Sequence, residues 1–84
     1  MNNVNKFLGG FFFLLKLNIR LKEVLKERNM TQMQLSKKSG VNQARISQLC
    51  KNGRQEVNLL MLEKIAHALE IRDISVLMQF EETE

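Results

Sequence analysis

The sequence has 84 residues, a formal net charge of +4, 44% apolar residues and no proline, a balance that predicts one small, mainly helical domain. A single cysteine excludes an intrachain disulfide and a cysteine-based zinc site and fits a reducing, cytoplasmic setting; the lone His67 has no second ligand nearby, so neither metal nor cofactor is expected. Six basic residues and no acid occur from Arg28 to Gln55, whereas seven acids face two bases from Glu56 onward, a polarity that favours a polyanionic partner over an evenly solvated surface.

Residues 1–18 differ in character from the rest. Lys6 followed by the apolar run Phe7–Leu15 imitates a secretory signal, but nine residues are far short of the roughly 20 a spanning helix needs. No small-residue cleavage site follows, and Lys16 interrupts the run. Three readings stay open. The segment packs on the domain as an extra helix or strand, or it is an exposed membrane-docking or self-association arm. Alternatively it is not part of the mature protein: Gly9-Gly10 would translate a purine-rich ribosome-binding sequence, with the start at a later leucine codon such as Leu14, Leu15 or Leu17. The intact mass of protein made from the native gene separates the last reading from the others.

The domain proper is predicted over 19–80, an all-α, compact bundle of four to five short helices, with an acidic, frayed tail at 81–84. Asn18 caps a first helix from Ile19 to about Arg28, with Leu21, Val24 and Leu25 inward and Asn29 ending it. Met30 enters the core, and Thr31 caps the second helix, in which Leu35 points inward. Gly40 allows a sharp turn, Val41 plugs it, and Asn42 caps a third helix with Ile46, Leu49 and Cys50 on its inner side. Val57 is expected to anchor the next loop. Asn58 caps a fourth helix, whose stripe Leu59, Leu62, Ile65, Ala66 and Leu69 reads as core, with Leu60 and Met61 off the stripe and His67 exposed. Asp73 caps a short last helix from Ile74 to about Phe80, carrying Ile74, Leu77, Met78 and Phe80.

Thr31-Gln32, Leu35, Gly40-Val41, Ile46-Ser47, Asn52-Gly53 and the Ile65-Ala66 to Ala68-Leu69 pattern occur in an informative order. In that order the chain resembles, over roughly residues 19–78, the helix-turn-helix domain of phage repressors and Cro-type regulators, the xenobiotic-response-element (XRE) family. One departure is an extra residue near Cys50-Lys51, which bears on the end of the recognition helix and on Asn52. The resemblance implies a lambda-repressor-like DNA-binding fold and a repressor of phage or mobile-element type that acts by operator occupancy. At this length no separate effector domain is expected.

Within that frame Gln43 and Gln48 are candidate base readers, since an amide pairs in bidentate fashion with adenine N6 and N7. Ser47 is a less selective contact, and the Ala44 methyl suits a thymine methyl. Taken alone, these are ordinary residues of a solvated helix. Gln32 matches the family position that meets a phosphate; Lys51, Asn52 and Arg54 follow the recognition helix, and Arg45 lies on its flank as a further phosphate contact. Lys37 and Lys38 lie farther back, and Cys50 reads as an inert core thiol. The expected partner is double-stranded DNA with palindromic half-sites, bound by a homodimer whose surface is Leu60 and Met61, the last helix, or the N-terminal arm. The alternative is a protein-interaction module, an antitoxin or a regulator's partner. No catalytic constellation supports an enzyme.

Overall fold

The computed structural model describes residues 14–51 and 56–83. Its elements are β1 (Leu14–Ile19), α1 (Leu21–Glu27), α2 (Gln32–Ser39), α3 (Gln43–Leu49), α4 (Leu59–Ala68), a 3-10 turn (Ile74–Val76) and β2 (Met78–Thr83). The core joins Leu21, Val24 and Leu25 of α1 to Leu35, Ile46, Leu49, Leu62, Ile65, Leu69 and Leu77. Val41 seals the inter-helix turn, and Met30 and Val57 pack against the cluster from its margins.

Helix boundaries follow from caps. Asn29 (φ 52°) and Glu70 (φ 56°) adopt the left-handed conformation just past α1 and α4. In each case the next two amides turn back to the last helical turn: Asn29 to the Lys26 carbonyl and Met30 to that of Leu25, then Glu70 to His67 and Ile71 to Ala66. This satisfies carbonyls that a helix end otherwise leaves bare. Arg28 donates from its guanidinium to the Leu69 carbonyl, tying the end of α1 to the end of α4.

The all-α expectation is corrected: among the described residues four α-helices and a two-stranded antiparallel sheet share the fold. The first helix begins at Leu21, not Ile19, and Asn18 does not cap it, because the chain up to Ile19 is paired with β2 and the Arg20 amide donates to the Leu77 carbonyl. The expected last helix stops after one 3-10 turn. Asp73 does cap it, accepting from the Ser75 amide at 2.9 Å, but from Met78 the backbone is a strand in register with β1. That strand takes in Glu81, Glu82 and Thr83 of the tail expected to fray, and Glu84 lies outside the described residues. Residues 14–19 form a strand paired with β2, whose inner end, Ile19, packs on the core while Leu15 and Leu17 are exposed; residues 1–13 lie outside the described region.

Three positions on α4 differ from the predicted stripe. Leu59 is 74% exposed, whereas Ala68 is buried and Ala66 only half-buried. A first-turn residue sits at the rim of the packed layer, so its apolar character does not oblige it to face inward. Of the residues assigned to the last helix, Leu77 is fully buried, Met78 packs at the core margin, and Ile74 and Phe80 are exposed. Leu77 is thereby removed from any dimer surface.

Candidate nucleic-acid interface

The interface is built on the α2–turn–α3 unit. Thr31 and Gln34 form a reciprocal cap: the Thr31 hydroxyl accepts from the Gln34 amide at 3.0 Å, and the Gln34 side chain accepts from the Thr31 amide at 2.8 Å. Gly40 ends α2 with φ 79°, the left-handed value that favours glycine. Two serines then pin the turn. Ser36 donates from its hydroxyl to the Val41 carbonyl at 2.6 Å, and the Ser39 hydroxyl accepts from the Val41 amide at 3.1 Å. Neither serine stands out in the sequence, because short-range side-chain bonds in a turn leave no periodic signal. Asn42 starts α3 by accepting from the Ala44 amide at 2.7 Å.

With Ile46 and Leu49 buried, α3 is held by one side, and the opposite side is set by the helical period. Gln43, Ala44 and Gln48 are exposed and Ser47 is half-buried. Their spacing puts Gln43 beside Ser47 and Ala44 beside Gln48 in one stripe. Arg45 is exposed on the flank, lining an open groove between the turn and the start of α4, with Lys64 and Glu56 also on its walls. Lys51 is exposed just after α3. Asn52 and Arg54 lie outside the described residues.

Gln32 occupies the first turn of α2 and is half-buried, and its side chain hydrogen-bonds Cys50. Cys50 is itself only half-buried, at the core margin. Burial pushes its thiol above the ordinary value of 9.0, and the Glu23 charge adds to this; Lys22 and the Gln32 hydrogen bond pull the other way. The thiol is therefore neutral near pH 7, where it behaves as a small apolar group.

The positive residues divide in two groups. Arg28 is committed to the α4 terminus, and Lys37 and Lys38 are exposed in the last turn of α2, where cations complement the helix dipole. Arg45 and Lys51 flank α3. No acid lies between Arg28 and Lys51, so nothing on α2, the turn or α3 opposes an approaching phosphate backbone.

A family model described as helix-turn-helix matches residues 21–77. The match begins with α1 and ends on the buried Leu77, leaving β1 and β2 outside it. No curated protein and no solved structure matches the chain.

Proposed function

The chain belongs to the XRE/Cro-type helix-turn-helix family of DNA-binding domains, and on that premise we propose that it is a sequence-specific transcriptional regulator, a repressor of phage or mobile-element type acting by operator occupancy. The observation that carries the reading is the outer stripe of α3: Gln43, Ala44 and Gln48 stand in solvent on a helix anchored from behind by Ile46 and Leu49. In this reading the stripe enters the major groove. The α2 N-terminus with Gln32, the flanking Arg45 and Lys51, and Asn52 and Arg54 beyond them bear on phosphates. One such domain makes few base contacts, so two copies on half-sites about one helical turn apart complete the operator.

Selection from random and genomic duplexes, followed by footprinting at two salt concentrations, tests this directly. A protected, roughly palindromic site that survives the higher salt is the expected result; retention of all sequences alike would contradict it. The exposed Leu59 and Leu60 favour a second reading, a module that serves a protein partner through α4. Under that reading a partner co-purifies and the genomic selection enriches no site.

A further inference from the structure

The β1–β2 ribbon has two unlike faces. Its register opposes Leu17 to Phe80 and Leu15 to Glu82 on one face, and Lys16 to Glu81 and Asn18 to Gln79 on the other. The second face is polar and suits water. The first begins with Ile19 and Met78, which pack on the core, and continues outward as Leu15, Leu17 and Phe80, exposed by 56%, 48% and 67%. Two strands alone are marginal in water, and an apolar ribbon face normally needs a cover.

We propose that this face is the surface on which a second copy of the chain docks, ribbon against ribbon about a two-fold axis. The proposal deepens the regulator reading and rests on it for the need of two copies. Charge selects the occupant. Glu81 lies on the opposite face, across from Lys16, whereas the apolar face carries Glu82 and no cation, so it offers nothing to hold a phosphate backbone or an anionic lipid surface. The centre of the patch, Leu17 beside Phe80, carries no charge and is self-complementary, and Glu82 lies at the outer rim. Pairing one patch with its own copy closes the assembly at two.

Position fits as well. The ribbon meets the helical body through Ile19, Met78 and the 3-10 turn, whereas α3 packs mainly against α2, so covering the ribbon leaves α3 open. Both strands also lie outside the residues that the family model matches. Three side chains at these exposures offer roughly 300 Å² of apolar surface per copy, against about 800 Å² per partner in a stable interface. The dimer is accordingly weak in free solution, with a dissociation constant roughly micromolar or above, and is completed on DNA.

Sedimentation equilibrium of the full chain, its Leu17→Thr/Phe80→Thr variant and a Leu59→Thr/Leu60→Thr variant tests the proposal. Threonine keeps strand propensity, and all four positions are exposed. The ribbon variant should raise the dimer dissociation constant about tenfold or more, while the α4 variant leaves it unchanged. A wild-type chain that stays monomeric, open-ended assembly, or dissociation by the α4 variant alone overturns it. Because the chain has no Trp or Tyr, Phe80→Trp supplies a second readout that needs no disruption. Its emission should shift to the blue as concentration rises through the dimer transition. Emission that never shifts, or that is already blue at the lowest concentration because the chain covers the patch itself, also overturns the proposal. A mixed-sequence duplex at low salt separates the two readings: failure of every variant to retain it sinks the regulator and leaves the association data standing.

Discussion

Gly40 has φ 79°, and a β-carbon built there meets no atom within 4 Å. Substitution thus probes backbone conformation without a clash. Gly40→Ala should cost about 1–2 kcal/mol in urea denaturation, and Gly40→Asn less; equal loss from both would point to a contact instead. In the proposed reading Gln43 and Gln48 serve recognition, and because both are exposed their loss should leave stability in place. Replacing either with Ala should cost about 1–3 kcal/mol on the best site and relax preference at one base pair. A uniform loss over all sequences would argue against base reading. Cys50 gives a pH effect. Its folded-state ionisation lies above 9.0, so its contribution is intact below that value and fades as pH climbs through the folded one. Unfolding curves of the wild type and Cys50→Ala should diverge above about pH 9, with the wild type losing more; parallel curves would contradict the shift.

Elements that depend on near neighbours were legible. Thr31, Asn42 and Asn58 cap α2, α3 and α4 as their residue types suggest, and Asn29 ends α1 in the left-handed conformation. Glu70 plays the same part after α4 but is not a residue type that advertises it. Glu70→Gly should therefore stabilise the protein by about 0.5–1 kcal/mol, read as a higher urea midpoint at unchanged slope; a lower midpoint would mean that the glutamate side chain has a role of its own. The ribbon was not legible, and the reason is range. Ile74, Leu77 and Met78 satisfy a helical spacing, and only pairing with Leu14–Ile19, some sixty residues earlier, turns Met78–Thr83 into a strand. Once paired, the alternation of Phe80 and Glu82 with Gln79 and Glu81 follows the strand period of two. The α3 stripe escaped this ambiguity because Ile46 and Leu49 leave a seven-residue helix a single way to face.

At the scale of the molecule, charge is sorted by element. The acid-free run occupies α2, the turn and α3, while β2 carries Glu81 and Glu82. In the proposed reading such a body approaches DNA with α3 leading and the ribbon trailing. Binding should then weaken linearly in logarithmic terms with salt, at a slope of about −0.9 per phosphate neutralised. If Arg45, Lys51 and Arg54 each neutralise one phosphate, a protomer gives a slope of about −2.7 and a dimer on two half-sites about twice that. Arg45→Ala and Arg54→Ala should each weaken binding evenly over sequences and flatten the dimer's slope by about 1.8. Lys37→Ala should leave the slope in place, since that lysine stands at the far end of α2. A salt titration of the selected operator against a single half-site reads all three quantities, and an Arg45→Ala slope equal to the wild type would remove that residue from the phosphate contacts while sparing the stripe on α3.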